Sequence, residues 1–153
     1  MIPIKIMINR LPHGKGLLLP KYSTKKSAGM DLSAAINSKI TMTSGERALI
    51  PTGFSIAIPQ GFEGQIRPRS GLSIKFGISV LNAPGTIDAD YRGELFVLMT
   101  WIGEGESYEV KSGERIAQLV IAPIPEVEFA EVDEEDLGET ERGDGGFGST
   151  GRF

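Results

Sequence analysis

The sequence predicts an all-β domain: short antiparallel strands closed into a sandwich, jelly roll or barrel, with one short helix and a glycine-rich C-terminal arm. Three observations predict it. Apolar Phe54, Ile56 and Ile58 alternate with Ser55 and Ala57, the period-two signature of a half-buried strand. Glycine and proline recur at short intervals, at Pro51, Gly53, Pro59, Gly61, Gly64, Pro68, Gly71, Gly77, Pro84 and Gly85, as where turns join many short strands. No long stretch carries the 3.6-residue period of a helix.

In chain order, His13 lies between Pro12 and Gly14; it reads as a loop residue and receives no functional role. Residues 54–58 form the alternating strand. A short helix is predicted over Ser70–Phe76, with Ser70 as its N-cap. The polar stretch Gly85–Glu94, with glycines near both ends, reads as a hairpin turn. Leu95–Met99 and Leu119–Ile121 are apolar runs of strand length. Ser44-Gly45-Glu46-Arg47 recurs as Ser112-Gly113-Glu114-Arg115, each leading into an apolar strand, and reads as turn chemistry used twice. Residues 1–125 form the body, 126–141 an acidic linker and 142–153 a mobile glycine-rich arm. At about 3.3 Å per residue the linker reaches roughly 50 Å, far enough for the arm to serve another body.

Composition bounds the function. The chain of 153 residues is 40% hydrophobic and 24% charged, ordinary for one globular domain. It has no cysteine and one histidine, which excludes disulfides, thiolate metal sites and a multi-histidine centre within one chain. No apolar run approaches the roughly 20 residues that span a membrane, and the first residues lack a leader pattern; a cytoplasmic location is expected. The net charge of −4 is uneven. Nine acids between Glu126 and Glu141 stand without a single Lys or Arg; without them, 11 acids face 16 bases, a formal +5. A basic body suits a polyanionic small molecule. No Lys/Arg cluster with interleaved aromatics points to a nucleic-acid polymer.

Several segments can carry chemistry. Asp31 sits among small and apolar residues in 28–35, where a carboxylate needs backbone donors or a cation. Arg69, just before the helix, pairs a bidentate fork with the free N–H groups of a helix start, a phosphate site or an ordinary capped helix. A carboxylate in 85–94 could serve as a general base or simply form a turn, and Tyr91 could pack against a small ring. Gln118 places an amide in an apolar strand, where it needs a neighbouring strand or a ligand oxygen as partner. Residues 146–151 spell G-x-G-x-x-G, but only two residues follow Gly151. No helix can follow to hold a pyrophosphate, so this is not a dinucleotide fingerprint.

Order and spacing sharpen these alternatives. The segments AGMDLSAA (28–35), PRSGLS (68–73), GTIDADYRGE (85–94), GERIAQLVI (113–121) and RGDGGFGSTG (142–151) closely resemble the five motifs of the homotrimeric deoxyuridine triphosphatases, the dUTPases. The resemblance implies a distorted β jelly roll assembled as a homotrimer with shared active sites. It also implies Mg²⁺-dependent hydrolysis of dUTP to dUMP and pyrophosphate, limiting uracil in DNA and supplying dUMP for thymidylate. Asp31 would contact Mg²⁺ through water. Arg69, Ser70, Gly71 and Gln118 would hold phosphates. Asn82 would read the uracil edge, aided by the main chain through Phe96, and Gly85, Thr86 and Ile87 would line the substrate. Asp88 would orient and deprotonate the attacking water, and Tyr91 would sit under the deoxyribose and exclude a 2′-hydroxyl. From the arm, Arg142, Ser149 and Thr150 would hold phosphates, Gly148 would bind substrate, and Phe147 would cover the base.

Two other classes compete: a deoxycytidine triphosphate deaminase on the same fold, and a non-catalytic β module that binds nucleotide or protein. The Asp88–Tyr91 arrangement and the arm argue against the first; Asp88 and Arg142 argue against the second. Ser73 and Thr100-Trp101-Ile102 depart from the family pattern, where alanine and a more polar strand end with asparagine are expected. These departures touch packing or subunit contacts rather than a catalytic position.

Overall fold

The computed structural model describes residues 3–146. Its regular elements are β1 (Met7–Arg10), β2 (Gly29–Ser33), β3 (Ile40–Met42), β4 (Arg47–Ala57), β5 (Phe62–Arg67), α1 (Ser70–Phe76), β6 (Ile78–Val80), β7 (Gly85–Ile87), β8 (Glu94–Trp101), β9 (Tyr108–Val110) and β10 (Arg115–Pro123). Two four-stranded sheets, ordered β1-β4-β8-β6 and β2-β10-β5-β7, accompany a two-stranded ribbon, β3-β9. All pairings are antiparallel. The inner faces share one core: Ile50, Ile56, Leu95, Val97 and Met99 from the first sheet meet Leu32, Ile66, Ile116 and Leu119 from the second. Met42 and Val110 close it from the ribbon. Each such side chain contributes about 1.5–3 kcal/mol by leaving water.

Strand alternation fixes what faces the core. Along β8, Leu95, Val97, Met99 and Trp101 are buried, whereas Phe96 faces out. The strand expected over 54–58 runs longer, through Pro51 and Gly53. It does so by a bulge: Pro51 pairs with Phe96 and Ser55 with Glu94, so β4 carries extra residues over that interval. A bulge is where a sheet tolerates proline. Buried Thr52 satisfies its hydroxyl there on the Leu95 carbonyl at 2.7 Å.

The helix spans the residues the sequence predicts, but Ser70 is its first helical residue rather than its cap. Arg69 occupies the cap position and makes no side-chain cap bond, because its guanidinium is committed elsewhere. Gly77 ends the helix at φ +67°, with its N–H returned to the last turn; a Cβ there would also overlap the backbone of Gly103. The Trp101 indole donates to the Phe76 carbonyl at 2.7 Å, so one free carbonyl of the helix end is satisfied. Ser73 places its hydroxyl 2.8 Å from the Ile78 carbonyl. Within the chain, Ser73 and Trp101 thus each serve local packing, while Ile102 is exposed.

The stretch 85–94 is not a hairpin. β7 pairs with β5 in one sheet and β8 with β4 and β6 in the other, so residues 88–93 cross between sheets. The repeated Ser-Gly-Glu-Arg does form one turn twice. Glu46 accepts from the Thr43 N–H at 2.7 Å and Glu114 from the Lys111 N–H at 3.0 Å. Gly45 and Gly113 take φ +83° and +76°. Beyond Pro123 the chain is exposed through residue 144 and forms only one 3-10 turn, Glu134–Leu137, among the described residues.

Candidate active site

The central strand β10 builds one side of the site. It pairs Gln118 with Asp31 on β2 and with Arg67 on β5, which brings the Pro68–Gly71 turn beside Asp31. The Arg69 Nε donates to Asp31 Oδ1 at 2.9 Å, and Arg115 Nη1 donates to Asp31 Oδ2 at 3.0 Å. Arg69 also donates to the Arg115 carbonyl at 3.1 Å. One partly buried carboxylate thus receives two guanidinium groups, one on each oxygen, in charge-assisted bonds. Gln118 resolves its predicted need by donating to the Pro68 carbonyl at 2.9 Å. Its amide oxygen lies where a Cβ on Gly29 would be, so a larger residue there would push the amide from its place. Asp31, Arg69, Ser70, Gly71 and Gln118, with Ser23 and Ser27, line a polar recess of about 350 Å³. The N–H groups of Ser70 and Gly71 have no intrahelical acceptor, as at any helix start.

A second recess, about 170 Å³, is lined by Thr86, Ile87, Asp88, Tyr91, Glu94 and Phe96. The crossing between sheets creates it. The Tyr91 N–H turns back to the Asp88 carbonyl at 3.2 Å, and the Tyr91 hydroxyl donates to the Glu94 carbonyl at 2.9 Å. The Tyr91 ring lies against Gly93, where any Cβ would overlap it. Asn82 does not line this recess but abuts Gly85 across the Ala83–Pro84 peptide; a Cβ on Gly85 would stand 3.1 Å from its amide.

The predicted residues therefore fall into two groups. The two recesses share no lining residue, and Arg142 lines neither, donating instead to the Gly145 carbonyl at 2.8 Å. Phe147, Gly148, Ser149 and Thr150 lie outside the described residues. Sequence reasoning missed Ser23, Ser27, Arg115, Glu94 and His13. Arg115 stood inside a quoted segment, but nothing local marks it as a partner of Asp31. Glu94 also stood inside a quoted segment, but nothing local marks it as a partner of His13, since their pairing joins positions 81 residues apart. A third recess, about 610 Å³, is apolar, lined among others by Ile4, Ile8, Leu19, Tyr22 and Ile121, and none of the predicted site residues lines it.

No group of three or more His, Cys, Asp or Glu among the described residues could hold a metal by itself. In the polar recess Asp31 is the one carboxylate, beside hydroxyls and cations. That donor set suits an ion that takes one carboxylate and completes its shell with waters and phosphate oxygens, the habit of Mg²⁺. No helix among the described residues is long and apolar enough to cross a membrane.

Comparison with known proteins agrees with the motif order. The family model described as dUTPase matches residues 16–151. The deoxyuridine 5′-triphosphate nucleotidohydrolase of Wolbachia pipientis (strain wPip) is 55% identical over 149 residues, covering 97% of each chain. Among solved structures, the dUTPase of Staphylococcus bacteriophage 80alpha with dUpNHpp superposes with a TM-score of 0.81 at 31% identity, covering 97% of this chain and 99% of that one. The dUTPase from phage phi11 of S. aureus, described as coordinating a structural Mg(II) ion, gives 0.73 at 26% identity over 85% of this chain and 97% of that one.

Proposed function

The chain belongs to the dUTPase family, and from that premise we propose that it cleaves dUTP to dUMP and pyrophosphate by in-line attack of an Asp88-activated water on the α-phosphorus. The observation that carries this reading is the division of labour between the two recesses. One gathers cations around a single carboxylate; the other gathers two carboxylates, a tyrosine and an aromatic face. A nucleoside triphosphate needs both.

In the polar recess, Arg69 and the main chain at Ser70 and Gly71 bind phosphate oxygens, and Gln118 adds an amide contact. A triphosphate carries about four negative charges, so positioning and charge neutralisation supply most of the catalysis. Asp31 is the residue that would hold Mg²⁺ through water; when bound, the ion neutralises charge on the phosphates. In the second recess, Asp88 takes the proton of the attacking water, a role worth about 10²–10⁴-fold. The Tyr91 ring supports the sugar and leaves no room for a 2′-hydroxyl. Asn82 and the main chain from Gly85 to Ile87 and at Phe96 read the base.

A homotrimer with shared sites joins the recesses: the carboxylate side of one subunit faces the phosphate side of another. The arm completes each site, with Arg142, Ser149 and Thr150 on phosphates, Gly148 against the substrate and Phe147 over the base, and so excludes water beyond the one that reacts. The activity removes dUTP from the DNA precursor pool and yields dUMP for thymidylate.

The test is pyrophosphate release from dUTP with Mg²⁺, run beside Asp88→Asn. The parent should turn over, and the variant should lose about 10²–10⁴-fold. A silent parent, or equal rates in both, overturns the proposal.

A further inference from the structure

The single histidine, absent from the mechanism above, is joined to it by a short chain of contacts. Its Nε2 lies 2.6 Å from Glu94 Oε1. Facing a carboxylate oxygen, that nitrogen carries the proton. The same oxygen accepts the Gly53 N–H at 2.8 Å. The Glu94 side chain is only 12% exposed and His13 34%, so the pair is partly shielded from water. Glu94 in turn lines the recess of Asp88 and Tyr91, and its carbonyl accepts the Tyr91 hydroxyl at 2.9 Å.

The platform beneath His13 is built to hold it there. Its 3-10 turn, Pro12–Gly14, packs onto the β4 bulge so closely that a Cβ on Gly14 would overlap the Gly53 carbonyl, and one on Gly53 would overlap Gly14. The Leu11 N–H donates to the Gly53 carbonyl at 2.9 Å. Arg10 clamps the turn from outside, donating to the Gly14 and Leu17 carbonyls at 2.7 and 2.6 Å. It also stacks over the Phe54 ring at 4.9 Å. Two glycines thus allow a backbone approach whose outcome is one carboxylate held from two sides.

We propose that His13, acting through Glu94, is a positioning residue for Tyr91 and thereby for discrimination between deoxyribose and ribose. Glu94 opens β8, and its backbone is the anchor of the Tyr91 hydroxyl; fixing its carboxylate fixes that anchor. The Tyr91 ring has little room to drift on one side, where it rests on Gly93, so the position of the Glu94 carbonyl decides how far it leans into the recess. Without the His13 bond, Glu94 retains one donor and the ring gains freedom, which opens space for a 2′-hydroxyl. The role assigned to Tyr91 rests on the proposed function, whereas its anchoring does not.

The experiment compares the full-length parent with His13→Ala and His13→Gln. For His13→Ala, the ratio of kcat/KM for dUTP over UTP should fall about tenfold, the scale of a sub-ångström misplacement. The dUTP kcat should change less than about twofold. His13→Gln keeps an N–H donor within reach and should restore most of the ratio. In a Tyr91→Phe background, which already lacks the anchor, His13→Ala should add less than about twofold. In NMR spectra that need no turnover, the Tyr91 ring resonances should shift or broaden in His13→Ala and return in His13→Gln. An unchanged ratio in a discriminating parent, full additivity with Tyr91→Phe, or unmoved Tyr91 resonances overturns the inference. A parent inactive on dUTP with Tyr91 resonances that respond overturns the function and leaves the anchoring supported.

Discussion

Asp31 illustrates what one residue can and cannot reveal. A carboxylate among small and apolar neighbours must be compensated, and that much followed from the sequence. Its compensation comes from Arg69 and Arg115, 38 and 84 positions away, set by the register of β10, which no local pattern encodes. Trp101 is the converse case. It entered as a departure from a family pattern and turns out to be a core residue, 2% exposed, whose indole satisfies a helix-end carbonyl. Trp101→Phe should keep most of the apolar contact but orphan the Phe76 carbonyl, costing about 1–3 kcal/mol. The urea midpoint should fall accordingly with no change in the slope of the transition. An unchanged midpoint would mean that water satisfies that carbonyl without loss.

At the scale of elements, the twin turns show why some local structure was legible. Ser-Gly-Glu-Arg specifies its fold within four residues: glycine at positive φ and a glutamate that returns to the backbone three residues earlier. The expected hairpin at 85–94 failed for the opposite reason, since the partners of β7 and β8 are chosen by the sheets around them. The second turn carries an additional group. The Tyr108 hydroxyl donates to Glu114, and burial together with that carboxylate pushes the phenol far above its usual range. The sign follows. The unfolded tyrosine loses its proton near pH 10, while the folded one keeps it, so the contribution to stability is full below about pH 10 and is lost as pH rises further. Urea midpoints measured from neutral to strongly alkaline pH should fall more steeply in the parent than in Tyr108→Phe. Parallel curves would show that the phenol is not held neutral by the fold. The first turn has the acid counterpart: bonds from Thr43 hold the Glu46 carboxyl below its usual value, so its contribution is present at neutral pH and fades as pH falls through that lowered value.

For the whole molecule, the order of five segments named the residues of a site, and the fold of one chain divides those from the first four segments between two recesses that share no lining residue. Motif order is written along the chain, whereas the separation of the recesses is set by pairing between distant strands, which is why the first was legible and the second was not. The exposed tail segment offers a related test. Truncation after Glu141 should leave a trimer by sedimentation but slow pyrophosphate release from dUTP; full activity would remove the arm from the mechanism.

The sharing of sites can be tested without a structure of the assembly. If each site takes Asp31 from one subunit and Asp88 from another, the inactive variants Asp31→Asn and Asp88→Asn should complement when refolded together. A site is intact only where its Asp31 side comes from an Asp88→Asn chain and its Asp88 side from an Asp31→Asn chain. In an equal mixture with random closed assembly, roughly a quarter of the sites meet that condition. Pyrophosphate release should therefore rise from near zero to about a quarter of the parent value, and peak at equal mixing. If both residues of a site came from the same chain, every chain in the mixture would carry one defect and no ratio would recover activity. The shape of the mixing curve thus decides whether one chain or two supply Asp31 and Asp88 to a site.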